Sequence, residues 1–365
     1  MKTPQIEKRN WGIDALRIIA MLMIVTWHIL WHGGILESAQ VSSAQYYIVW
    51  YIAMLTFGAV NCYGLISGYV GVQSKFKVSN LMENWIRILF YSIIITVIMA
   101  LRDQGIIGWR EWLGAFFPIF NKQYWYFTAY VGAFMFFPIL NMTLEKMDED
   151  SLRKIIITLV VMFSLFTTIF QTIYESDIFI LNEGYSAWWL IVLYLLGGYI
   201  KKYGILTRTR KRYLLTGYMV FSTVSYIGKV GLDSWACYAR GETESVHYFI
   251  TYLSPTVVLA SIFLFLLFER IELDEILKRV IKVFAPAAFG VYLIHDNRYV
   301  RNYWIHARFS VYGNLPWKRE IFAIIGTAIA IYSLCSFIEL IRADIFEKLK
   351  VREKIDVIDN ILNLD

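Results

Sequence analysis

The chain has 365 residues, of which 58% are hydrophobic, 17% aromatic and 18% charged. Soluble domains run at about 45–50% apolar and about 25% charged, so this balance excludes an ordinary soluble domain and points to a membrane protein. The formal net charge of +6 is the Lys and Arg excess that cytoplasmic connections collect, not a nucleic-acid footprint.

Cys62, Cys237 and Cys335 share no short spacing, which argues against a metal framework or a disulfide scaffold. Ten apolar stretches have roughly the 17–25 residues needed to cross a bilayer as helices: 11–31, 46–70, 81–101, 124–142, 154–174, 186–201, 213–230, 248–268, 280–296 and 320–341. The first is too long for a signal-peptide core, carries internal charge and lacks a small-residue cleavage site, so it reads as a permanent span. Most Lys and Arg fall on connections that share a side with the N-terminus, which places both termini in the cytoplasm. The loop 297–319 departs from that rule, with Arg298, Arg301, Arg308, Lys318 and Arg319 on the outer side. The expected fold is therefore all-α: a polytopic membrane bundle of about ten transmembrane helices. It forms one membrane domain over 1–345 and a short charged cytoplasmic tail over 346–365. Pro138, Pro255 and Pro286 are expected to kink helices four, eight and nine.

The first helix carries the chemistry. At about 100° per residue, Asp14, Arg17 and His28 share a stripe about 60° wide, and ionisable groups inside a membrane face the bundle. A rise of about 1.5 Å per residue separates Asp14 from His28 by about 21 Å, so Asp14 cannot orient that imidazole. Asp14 and Arg17, at i and i+3, can pair with each other instead. His28 reads either as a general base or as a polar residue hydrogen-bonded between helices. His32, one turn on, fits the outer interface. Arg87 lies inside the third helix and must find a partner. Tyr124-Trp125-Tyr126 opens the fourth helix, as an interfacial aromatic belt or as a stacking platform for a sugar. His295 and Asp296 end the ninth helix, as caps or as the lining of an acceptor entrance. Ser67-Gly68 and Gly197-Gly198 suit close helix packing, and the basic stretch 201–212 suits topology. No Walker loop, metal-ligand spacing or Gly-x-Ser-x-Gly elbow occurs.

The stretch "GIDALRIIAMLMIVTWH" resembles the first helix of the acyltransferase 3 family of integral membrane acyltransferases, whose pattern is Leu-Asp-x-Leu-Arg followed by His eleven residues after the Arg. Ile13 replaces the leading Leu. The likeness continues in order through "NCYGLISGYVG", "NWIRILFY", "YWYFTAYVGAFMFFPILN", "WWLIVLYLLGGYI" and "FGVYLIHDN". It implies about ten helices and transfer of an acyl group, commonly acetyl, from acetyl-CoA on the cytoplasmic side. The acceptor implied is a hydroxyl of an extracytoplasmic or lipid-linked glycan, at the plasma or inner membrane of a bacterium. The partners implied are the lipid bilayer and the glycan, and a homo-oligomer is compatible with them; no metal and no nucleic acid is expected.

For the site, the resemblance implies a catalytic His28, acting as general base or as acyl carrier, with Asp14 and Arg17 as the other first-helix residues. Arg87 matches the second arginine of an Arg-x-x-Arg motif whose first position is Asn84 here. Lys75 and Lys77 are placed to replace that lost charge. Donor phosphates are expected near Arg17 and Arg87, and the acceptor near Tyr124, Trp125 and His295. The rival from another class is a transporter or flippase that uses Asp14, Arg17 and His28 as a proton or substrate path.

Overall fold

The computed structural model describes residues 9–41, 43–72, 74, 76–103, 105–121, 123–240 and 251–361, and these contain helices and no strand. In chain order the helices are α1 (Trp11–Trp31), α2 (Ile35–Ser38), α3 (Ala44–Phe57), α4 (Ala59–Gly71), α5 (Val78–Arg102), α6 (Trp109–Phe116), α7 (Trp125–Phe134), α8 (Phe137–Lys146) and α9 (Glu149–Val160). They continue as α10 (Thr167–Tyr174), α11 (Ala187–Tyr203), α12 (Lys211–Arg240), α13 (Pro255–Glu269), α14 (Glu275–Phe284), α15 (Ala288–His295), α16 (Arg298–Val300), α17 (Trp317–Lys348) and α18 (Val351–Ile361).

In its described residues, each of the ten apolar stretches falls on a helix or a consecutive pair; positions 248–250 of the eighth lie outside the described residues. Five units are long and apolar enough to cross a membrane: α1, the α3–α4 run, α5, the α9–α10 run and α17. The α7–α8 pair, bent by 55°, makes a sixth if taken as one span. Against the ten crossings expected, α11 and α13 are short at 17 and 15 residues. The prolines also act differently from expectation. Pro138 is the second residue of α8, just after the bend, Pro255 is the first residue of α13, where its missing N–H costs nothing, and Pro286 lies in the turn between α14 and α15.

The core explains why a charged helix is tolerated. α1 is the hub, packing against α3, α4, α13, α14, α15 and α17. Its start is fixed by Asn10, whose side-chain oxygen accepts from the Ile13 N–H at 3.1 Å and whose amide donates to the Glu269 carbonyl at 2.9 Å. Its end is pinned by the loop after α16: the Ala307 and Phe309 N–H groups donate to the carbonyls of His32 and Gly33. α4 lies against α11 at very close range. A Cβ on Gly68 would stand 1.9 Å from the Tyr194 carbonyl oxygen, and one on Gly197 would stand 2.1 Å from that of Leu65. Both small-residue pairs named from the sequence therefore mark a backbone contact. In its described part the charged tail is helix α18, joined to α5 by Arg352, which donates to Glu83 at 2.5 Å.

Candidate functional site

His28 points into the bundle, with its side chain 13% exposed. Its Nδ1 lies 3.0 Å from Nε2 of His295, the last residue of α15. His295 Nδ1 lies 2.6 Å from the Val291 carbonyl oxygen. A carbonyl only accepts, so His295 carries its proton on Nδ1 and, as a neutral ring, presents a lone pair on Nε2. His28 Nδ1 must then be the donor, which leaves a lone pair free on Nε2 of the neutral ring. The carboxylate that sequence spacing denied to Asp14 comes from α15: Asp296 Oδ1 lies 3.6 Å from His28 Nδ1 and 3.3 Å from Arg301 Nη1.

His28 lies where two cavities meet. On one side is an opening of about 360 Å³ shared with His32, Asp296, Arg301 and Glu183, walled by Trp27, Trp31, Trp125, Tyr185 and Tyr252. On the other is an apolar chamber of about 50 Å³ between Met21, Ile24, Tyr63, Tyr126, Phe289 and Tyr292. Tyr252 stands in both and is held by Asn61, which donates to the Tyr252 carbonyl at 2.9 Å while accepting from Trp189 Nε1 at 3.0 Å. Its ring stacks on Phe57 and Trp125, with centroids 4.9 and 5.8 Å away.

A third cavity, of about 250 Å³, opens at the start of α1 and is lined by Arg9, Asn10, Ile13, Asp14, Arg17, Tyr69, Val70 and Lys201. Asp14 is 5% exposed and accepts from Arg17 at 2.6 Å and from Arg9 at 2.5 Å. Three cations against one carboxylate leave this cavity positive. Tyr63 stands between it and the chamber, donating to the Arg17 carbonyl at 2.6 Å.

The other residues named from the sequence divide between these places and elsewhere. Trp125 lines both the large opening and the chamber. Tyr124, 2% exposed, lines neither; its hydroxyl donates to the Leu293 carbonyl and accepts from Asn297, tying α7 to α15. His295, 1% exposed, is the partner of His28 and does not line the opening where an acceptor role had placed it. Arg87 and Arg17 do not share a cavity. Arg87 lies 3.5 Å from Glu83 and 3.7 Å from Glu339, with its guanidinium over the ring of Phe289. Glu339 also holds Arg342 through two hydrogen bonds and the Tyr91 hydroxyl through one. Lys77 lines none of these cavities, and Lys75 lies outside the described residues.

Glu183, Tyr185 and Tyr252 are site residues that sequence reasoning did not assign, whereas Arg301 follows His295 and Asp296, read there as a candidate acceptor entrance. A signal for Arg301 was the excess of outer charge in 297–319. His28, His32 and Asp296 also offer three ligand atoms within 4.8 Å of one another. The Arg301 guanidinium, 3.3 Å from Asp296, places a positive charge beside this set.

No match was found among curated proteins or solved structures. The family described as an acyltransferase domain matches residues 10–336, which takes in α1, both cavities around His28 and most of α17. The chain belongs to the acyltransferase 3 family and is an acyltransferase of multi-pass membrane character.

Proposed function

We propose that this chain is a ten-span membrane O-acyltransferase with both termini in the cytoplasm, which moves an acetyl group from acetyl-CoA to a hydroxyl of a cell-surface or lipid-linked glycan. The reading rests above all on His28: an imidazole with one nitrogen fixed as donor and a lone pair free on the other, placed between a positive cavity at one end of α1 and an aromatic, polar opening at the other.

The donor's phosphates occupy the cavity of Arg9, Arg17 and Lys201, where opposed charge and the guanidinium forks of two arginines suit a polyanion. At about 1.5 Å per residue, Arg17 and His28 are about 16 Å apart along α1, a span that an extended pantetheine arm bridges. The chamber is far smaller than such an arm, so Tyr63 and its neighbours must turn aside to admit it. Arg87 is committed to Glu83 and Glu339 and has a supporting role in this scheme.

The acceptor sugar enters the aromatic opening. His28 Nε2 takes the hydroxyl proton as the oxygen attacks the thioester carbonyl. The tetrahedral intermediate collapses, the C–S bond breaks, and the departing thiolate takes the proton from the imidazolium. The products are an ester and a thiol. His295 accepts from His28 Nδ1 throughout, and Asp296 stabilises the imidazolium while it lasts.

Two measurements test this. Surface polysaccharide from cells with the gene should carry an added acetyl mass that is missing without it and missing with His28→Ala, whose loss of a general base lowers transfer by about 10²–10⁴-fold. Movement of a glycan-related substrate across vesicles with no thioester cleavage would instead identify a transporter.

A further inference from the structure

Glu183 is the one carboxylate of the large opening that forms no ion pair among the described residues; Asp296 is held by Arg301. It belongs to the segment between α10 and α11, whose backbone is unusual. Ile180, Asn182 and Glu183 take φ of 53°, 50° and 56°, followed by Gly184 at 95°. Left-handed backbone is unfavourable for side chains other than glycine and concentrates at functional sites. Here it is held from both sides: Asp177 accepts from the Asn182 N–H at 2.5 Å, and the Tyr252 N–H donates to the Glu183 carbonyl at 3.1 Å. Gly184 lets the turn close onto Tyr252, because a Cβ there would meet the Tyr252 Cβ at 2.7 Å. A glycine at 183 would relieve the backbone and remove the carboxylate, so the side chain is what this geometry keeps. The same turn sets Glu183 beside Tyr185, whose ring is 4.3 Å from Trp125 and 5.0 Å from Tyr252.

We propose that Glu183 is the specificity-determining residue for the acceptor, its carboxylate accepting hydrogen bonds from two neighbouring hydroxyls of a pyranose whose apolar face lies on Trp125, Tyr185 or Tyr252. This rests on reading the opening as the acceptor site. A carboxylate offers two oxygens side by side, the complement of a vicinal diol, and an aromatic wall complements the C–H face of a sugar. With two hydroxyls so held, the ring is fixed in orientation and only a hydroxyl facing His28 can lose its proton, which converts a general base into a position-selective one.

The test uses the full-length protein in detergent. The change in intrinsic tryptophan fluorescence, to which Trp27, Trp31 and Trp125 of the opening contribute, reports binding of methyl hexopyranosides, N-acetylhexosaminides among them, and of their monodeoxy analogues. For at least one glycoside, Glu183→Gln and Glu183→Gly should each weaken binding about tenfold. Deleting one hydroxyl of the diol should cost wild type about as much and cost the variants little. Glu183→Gly should unfold at a temperature no lower than wild type, which separates lost recognition from lost structure. Equal binding by wild type and both variants, or equal cost of the deoxy substitution in all three, overturns the role of Glu183 alone. Failure of wild type to bind any glycoside, with acetyl-CoA still quenching fluorescence, overturns the acceptor site itself and this inference with it.

Discussion

His28 and His295, 267 positions apart in the chain, meet Nδ1 to Nε2 at 3.0 Å, and the Val291 carbonyl behind them decides which ring gives the proton. Two identical side chains are thereby made unequal: one is a fixed acceptor, the other a base with its free nitrogen at the cavities. His295→Ala should lower kcat at least tenfold with little change in either KM, because His28 loses the acceptor that selects its tautomer. His295→Gln, whose amide oxygen can accept from His28 Nδ1, should recover part of that loss. Equal activity in wild type and His295→Ala would remove the dyad from the mechanism.

Arg17 and Arg87 should separate kinetically. Arg17→Gln removes a cation from the positive cavity and should raise the KM for acetyl-CoA about tenfold or more, with the acceptor KM unchanged. Arg87→Gln removes the arginine that Glu83 and Glu339 share, leaving Glu83 to Arg352 and Glu339 to Arg342. It should lower the unfolding temperature in detergent and shift donor KM less than threefold. The opposite pattern would move the phosphates to Arg87.

Gly68 and Gly197 allow no added carbon. Gly68→Ala or Gly197→Ala drives a methyl group into a facing carbonyl, so α4 and α11 must part. Overpacking of this kind costs about 1–3 kcal/mol, read as a lower unfolding temperature and a poorer yield of folded protein. Gly231→Ala, on α12, where nothing lies within 4 Å of the added carbon, should behave as wild type.

Acceptor binding should depend on pH through Glu183. Partial burial, then the nearby Asp177 carboxylate, push its carboxyl above the usual value of 4.5. The ionised form is the one that accepts hydrogen bonds, so acceptor KM should be low above the raised value and climb as pH falls through it. Tyr185, Asp296, Arg301, His28 and His32 face the same opening and titrate or carry charge there. The diagnostic quantity is therefore the ratio of acceptor KM between Glu183→Gln and wild type, measured at saturating donor. That ratio should shrink towards one at low pH; a ratio flat with pH would exclude the carboxylate.

Periodicity made the α1 stripe legible, because three polar residues on one face of an apolar helix leave few alternatives. Their division of labour followed from helix rise alone, and Asp14 does hold Arg17. The partners of His28 were not legible, since no spacing links residue 28 to residue 295 and only folding brings α15 against α1. Tyr124 precedes α7 with non-helical backbone, so it does not continue the helix face of Trp125; Trp125 faces the cavities while Tyr124 turns its hydroxyl to the Leu293 carbonyl. Arg87 announced the need for a partner but not which one, because Glu339 lies on another helix. Glu183 left no trace at all. A glutamate in a polar connection is ordinary until its backbone is seen in the left-handed region.

The chamber beside His28 holds about 50 Å³, room for a water or two. An unbroken file of water from the Arg17 cavity to the aromatic opening does not fit through it. The chamber is thus the smallest of the three cavities spaced along α1. If the proposed donor threads its arm past Tyr63, the side chains that now fill the chamber and the arm must occupy the same space in turn.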